Sequence, residues 1–274
     1  MTKRTVFFIS DQTGVTAETL GHSLLTQFDA QEFRQLTVPF VDSVDKAKQA
    51  VDEVNTEARS EGLRPLVFST LVQDEVRDVV RNECDGLVID FFDAFLGPLE
   101  QELGVQSSHT SGRAHGMADL KSYDQRIDAT NFAMANDDGV STHHYDKADV
   151  ILLGVSRSGK TPTCLYLALN YGVYAANYPL SEEELEASVV PKALLLHRAK
   201  LYGLTIAPER LGEIRRERRA VGRYASPQQV SFEVRAAEAL FKRHSIPYVD
   251  TTRFSIEEIA STILNVTGVE RRLR

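Results

Sequence analysis

Residues 149 to 171 read DVILLGVSRSGKTPTCLYLALNY. Asp149 to Gly154 is a near-continuous apolar run, the pattern of a strand buried on both faces of a parallel sheet. Lys160 to Tyr171 carries Leu165, Leu167, Ala168 and Leu169 and reads as a helix. Between them Gly154, Val155, Ser156, Arg157, Ser158, Gly159, Lys160 and Thr161 fit G-x-x-x-x-G-K-S/T, the P-loop pattern. Each part has a physical purpose. The glycines let the backbone curl, so that successive N–H groups point into one concavity. That concavity opens a helix, where orphan N–H donors and the helix dipole favour an anion. Lys160 would bring a point charge to terminal phosphates, and the Thr161 hydroxyl would face Mg²⁺. Pro162 falls in the first helical turn, where a missing N–H is tolerated. Two readings of Arg157 stand side by side: a cation beside the phosphates, or an arginine facing solvent.

A P-loop kinase adds a carboxylate that orients the metal or activates the acceptor hydroxyl. The candidates are Asp11, Asp90, Asp138, Asp146 and Asp250. Asp11 follows the first strand in a Ser-Asp-Gln-Thr-Gly loop, at the end of a parallel strand where open α/β sheets bind ligands. A plain helix cap by Asp11 or Thr13 explains the same residues. His143 and His144 are adjacent and point apart on most backbones, which makes them a poor metal pair. One of them could act on phosphate as base or donor. His109 and His115 flank a Ser/Gly/Arg stretch that could contact anions or a protein partner, or be a plain polar loop. The run Arg215-Arg216-Glu217-Arg218-Arg219 is expected to be a solvated helix face rather than a binding surface.

Outward from this stretch, the first hundred residues alternate between strand and helix patterns. Strands are expected at Thr5–Ser10, Leu36–Val41, Pro65–Ser69 and Gly86–Asp90. Helices are expected at Val15–Phe28, Lys46–Ser60 (capped by Ser43) and Asp74–Glu83. This order argues for a parallel sheet with helices on both faces. Residues 104–146 are rich in Ser, His, Asp, Asn and Gly, with one helix-like stretch at Gln125–Asn136. They are expected to connect two lobes, 1–103 and 147–274. In the second lobe a strand follows at Val173–Asn177 and Ala193–Leu196 is expected to be buried. Helices are expected at Pro208–Arg219, Gln228–His244 and Ile256–Val266, with a short strand at Tyr248–Asp250. The predicted class is α/β, in two lobes: an N-terminal parallel-sheet lobe and a C-terminal P-loop kinase-like lobe.

The chain has 274 residues, and 39 acidic against 31 basic side chains give a net charge of −8. That balance argues against a general nucleic-acid binder. Two cysteines, Cys84 and Cys164, with no Cys/His cluster, argue against a structural zinc site and fit a reducing compartment. No apolar run is long enough to cross a bilayer and no cleavable signal is expected, so the expected location is cytoplasmic. Oligomeric state is left open, a homo-oligomer included.

Three segments carry a resemblance. FFISDQTGVTAETLGHSLL (Phe7–Leu25), RIDATNFAMANDDG (Arg126–Gly139) and GVSRSGKTPTCLYLA (Gly154–Ala168) resemble the bacterial regulatory proteins of phosphoenolpyruvate synthase and pyruvate, phosphate dikinase. The resemblance implies a bifunctional enzyme. Such an enzyme phosphorylates a threonine of its target with ADP as donor, and removes that phosphate with inorganic phosphate, releasing pyrophosphate. It places ADP on Gly154–Thr161. It makes phosphoenolpyruvate synthase the expected partner, since Gly159 before Lys160 and the DDGVSTHHYDKADV lead-in look more like the synthase branch. Lys160 and Arg157 would neutralise charge, Asp11 or His143 would handle the acceptor proton, and Thr161 would hold Mg²⁺. The other readings are the same chemistry on pyruvate, phosphate dikinase, a P-loop kinase of a small metabolite, and a nucleotide-sensing module without catalysis.

Overall fold

The computed structural model describes residues 3–108, 120–139, 142–218 and 222–273. The chain divides into two compact units, Met1–Ala118 and Asp119–Arg274. The first runs β1 (Arg4–Ser10), α1 (Val15–Leu25), β2 (Phe33–Val38), α2 (Val44–Glu61), β3 (Leu66–Thr70), α3 (Asp74–Glu83), β4 (Leu87–Asp90) and α4 (Phe91–Leu103). Its four strands are all parallel, in the order β2-β1-β3-β4. Alternation along β1 shows why both faces must be covered. Phe7 and Ile9 pack with Ala47, Ala50, Val51 and Val54 of α2 and with Val76 and Val80 of α3. Val6 and Phe8 pack on the other face with Ala17 and Leu25 of α1 and with Phe91 of α4. Ser43 caps α2 as expected, accepting from the Lys46 N–H.

The second unit opens with α5 (Leu120–Ala135), which packs against α6 and β6. Then come β5 (Val150–Gly154), α6 (Lys160–Tyr171), β6 (Ala175–Pro179), α7 (Glu182–Ala187), β7 (Leu201–Thr205), α8 (Pro208–Arg218), α9 (Pro227–Arg243), β8 (Tyr248–Asp250) and α10 (Ile256–Thr267). The strand order β6-β5-β7-β8 is again fully parallel and repeats the topology of the first unit. Ile151 and Leu153 face a core that includes Leu211, Val234 and Leu240. Val150 and Leu152 face one that includes Cys164, Leu167 and Ile263. A capping box of Ser255 and Glu258 starts α10.

One expectation needs correction, and one strand was missed. Residues 192–200 form a 3₁₀ segment, in which Leu194 is buried but Leu195 is 46% and Leu196 93% exposed. Three residues per turn point only one of three successive leucines at the core. On the side of β5 opposite β6 lies β7, a strand the sequence pattern did not reveal. Gly203 interrupts its apolar run, because a Cβ there would strike the Phe241 ring and Tyr248.

Candidate active site

Strand β5 lies between β6 and β7, and the chain leaves it first for β6 and later for β7. The two crossovers therefore diverge above the carboxyl end of β5 and leave a crevice there, at the switch point of the sheet. The loop from Gly154 to Gly159 fills the edge of that crevice. Gly154 has φ +157°, and a Cβ on it would overlap the carbonyl oxygen of Leu204 in β7. Only glycine lets the loop leave the sheet this close to its neighbour. Arg157 and Gly159 also have positive φ, at +76° and +91°. Gly159 is the N-cap of α6 and supplies no side-chain cap, so the first turn offers its N–H groups to an anion.

Lys160 is 4% exposed and donates from Nζ to the Val155 carbonyl at 2.8 Å. Burial in this dry setting lowers its pKa from 10.5 to about 8. Pro162 sits in the first turn of α6, as expected. A pocket of about 530 Å³ opens over the loop, lined by Ser156, Arg157, Gly159, Lys160, Thr161 and Pro162 together with Asp137, Asp138, Asn177, Pro179 and Arg218. Arg157 thus lines the pocket while remaining exposed.

The carboxylates arrive on the turn that ends α5. Asp138 has φ +55° and Gly139 +65°. Strand β6 pins that turn through one residue: the Asn177 N–H donates to the Asn136 carbonyl at 3.0 Å, and the Asn177 carbonyl accepts from the Gly139 N–H at 3.1 Å. The Asn177 amide donates to Asp137 Oδ1 at 2.5 Å and to Thr161 Oγ1 at 3.1 Å. The Thr161 hydroxyl donates to the same Asp137 oxygen at 2.9 Å. Asp138 is held more loosely, with Asn177 Nδ2 at 3.4 Å, and is exposed to the pocket.

Of the carboxylates expected from sequence, only Asp138 lines this pocket. Asp137, which touches Thr161, was missed. Its pairing with Thr161 depends on α5 docking against β6, and no local pattern carries that. Asp11 belongs to the first unit, where it is buried after β1. Asp90 caps α4, accepting from the Asp93 N–H at 2.9 Å, and burial raises its pKa. Asp146 is exposed, and Asp250 accepts from the Thr252 N–H at 2.9 Å. His143 and His144 are exposed in the turn before Tyr145 and do not line the pocket. His109 and His115 lie outside the described residues. The expected solvated arginine face holds for Arg216, Glu217 and Arg218, which are exposed, but not for Arg215, which is wholly buried; Arg218 also lines the pocket, and Arg219 lies outside the described residues.

Among the described residues no cluster of three or more His, Cys, Asp or Glu side chains could hold a metal alone. The Thr161 hydroxyl and Asp137 carboxylate do suit Mg²⁺. That ion is commonly held by one or two protein oxygens, with phosphate and water completing its shell. Among the described residues no helix is long and apolar enough to cross a membrane.

A family model described as kinase/pyrophosphorylase matches residues 6–264. A protein of Alkalilimnicola ehrlichii is 56% identical over 271 residues, covering 99% of this chain and 98% of that one. One of Alcanivorax borkumensis is 54% identical over 272 residues, covering 99% of this chain and all of that one. One of Pseudomonas aeruginosa is 53% identical over 272 residues, covering 99% of both. All three are named as phosphoenolpyruvate synthase regulatory proteins.

Proposed function

Because this chain belongs to the kinase/pyrophosphorylase family, we propose that it regulates phosphoenolpyruvate synthase by moving a phosphoryl group on and off a threonine of that enzyme. ADP is the donor in one direction and inorganic phosphate the acceptor in the other. The observation that carries this reading is one pocket holding both halves of the chemistry. An uncapped helix N-terminus with Lys160 lies on one side, and the Asp137–Asp138 turn lies on the other.

In the forward direction the threonine oxygen attacks the β-phosphorus of ADP. The bond from that phosphorus to the bridging oxygen breaks, AMP leaves, and the threonine proton passes to Asp138. P-loop N–H groups and the lysine lie closest to β-oxygens, so a diphosphate suits this loop. Lys160 gives up the Val155 carbonyl and meets the developing charge, with Arg157 and Arg218 at the rim. In reverse, an oxygen of inorganic phosphate attacks the phosphothreonine phosphorus. The bond to the threonine oxygen breaks, Asp138 relays the attacking phosphate's proton to that oxygen, and pyrophosphate leaves. Asp137 is committed to Thr161 and Asn177, which makes Asp138 the freer base. With Thr161, Asp137 would hold Mg²⁺, which would neutralise phosphate charge. In this scheme Asp138 takes the role expected of Asp11 or His143.

The test incubates purified phosphoenolpyruvate synthase with this protein and ADP labelled at the β-phosphate, followed by phosphopeptide mapping. Label is expected on one threonine. Asp138→Asn should slow transfer by about 10²-fold or more while ADP still binds. Label on a free metabolite, with none on the synthase, would refute the proposal.

A further inference from the structure

Arg215 sits on α8 in a run of charges, yet none of its surface reaches solvent. Its guanidinium donates to the Ser156 carbonyl at 3.1 Å and the Tyr224 carbonyl at 3.0 Å, and pairs with Glu233 at 2.6 Å. Its carbon lies 4.2 Å from the centre of the Tyr224 ring. The Tyr224 hydroxyl in turn stands 3.0 Å from the Ser156 hydroxyl. Ser156 is therefore held at both its backbone and its side chain, by two residues that lie far from it in the chain.

Stability alone does not account for this arrangement. Taking an arginine and a carboxylate out of water costs about as much as their attraction returns, and apolar side chains of similar volume pack as well or better. The contacts converge on the loop instead. A trans peptide is planar, so its carbonyl and its following N–H point in opposite directions. Fixing the Ser156 carbonyl toward Arg215 therefore aims the Arg157 N–H the other way. Arg157 is also in the left-handed backbone region at φ +76°, which costs a side-chain-bearing residue about 1–2 kcal/mol. Such a conformation persists only where neighbours enforce it, and alternating-handed N–H groups of this kind form anion-binding nests.

On the reading of this loop as a diphosphate site, we infer that Arg215 is its positioning residue. With Tyr224 it locks the Ser156–Arg157 peptide in the orientation that receives the nucleotide's phosphates. Glu233 holds the guanidinium in place, and its carbon sits over the Tyr224 ring. Lysine cannot replace this fork, since an ammonium is a point donor without the planar geometry needed to reach three acceptors.

The test uses the full chain and measures ADP binding by calorimetry. It also measures KM for ADP against kcat, with folding checked by circular dichroism. Arg215→Lys should weaken ADP binding by about tenfold or more, and Tyr224→Phe by roughly fivefold, the worth of one hydrogen bond. KM for ADP should rise by matching factors. A merely structural role predicts something else: a smaller folded fraction, hence a lower apparent kcat at unchanged KM and unchanged affinity of the folded protein. Folded variants that bind ADP like wild type overturn the inference. If Arg215→Lys does not fold, Tyr224→Phe decides, and wild-type affinity there overturns it equally. Wild-type protein that binds ADP but labels no synthase threonine refutes the proposed reaction and leaves this inference standing. Wild-type protein that binds no ADP removes both, before any variant is made.

Discussion

Lys160→Met should make the nucleotide-free protein more stable at neutral pH while destroying its grip on ADP. The ammonium is buried, and its pKa falls from 10.5 to about 8 because burial disfavours the charged form. That fall corresponds to about 3 kcal/mol borne by the native state at pH 7. The hydrogen bond from Lys160 to the Val155 carbonyl offsets about 1 kcal/mol, which the methionine variant loses. The net expectation is a gain of about 2 kcal/mol for the variant at pH 7. The sign of the pH dependence follows from proton counting. Below pH 8 the lysine is protonated in both folded and unfolded chains, and the penalty is complete. Between about pH 8 and 10.5 the native protein releases the proton while the unfolded chain keeps it, so wild-type stability rises with pH. Methionine has no such response, and the two proteins should become equally stable at about pH 9.8. The assay is amide exchange of the β5 strand in increasing urea, at pH 7, 8.5 and 9.5, without nucleotide. Saturating ADP should then stabilise the wild type and leave the variant unmoved. A variant less stable than wild type at pH 7, or a difference that does not change with pH, would refute the account of a charge held dry against its own loop.

Two further outcomes follow from the same geometry. Gly154→Ala places a Cβ on the Leu204 carbonyl oxygen and 2.9 Å from Ser158 Oγ, so it should destabilise the second unit by about 3 kcal/mol and abolish ADP binding. Thermal melting and calorimetry check both. Ser255→Ala removes half of the capping box of α10 and should cost about 1 kcal/mol, read by urea unfolding, with ADP affinity unchanged.

Much of the loop between β5 and α6 was legible in the sequence because its parts are consecutive. A buried strand, a glycine-bracketed turn and a helix beginning Lys-Thr each follow from short-range sterics and periodicity. The four parallel strands of the first unit were legible for the same reason, apart from shifts of a few residues in where β2 begins and ends. Strand β7 was not, because Gly203 breaks its apolar run to make room for Phe241 and Tyr248. The shared topology of the two sheets also left no repeat in the residues. Strand order is set by which crossovers pack, and many different side chains satisfy that packing.

Sequence alone determined that a glycine-bracketed loop joins the buried strand β5 to a helix beginning Lys160-Thr161. Tertiary structure decided what faces that loop. Asp137 reaches Thr161 only because Asn177 of β6 fastens the end of α5 in place. Arg215 looked like one more solvated charge until α8, α9 and the Tyr224 turn closed around it and turned it toward Ser156. The difference is one of range. Backbone sterics and hydrophobic period act over a few residues and leave their mark in the order of letters. A hydrogen bond between segments tens of residues apart is chosen by the packing of whole elements.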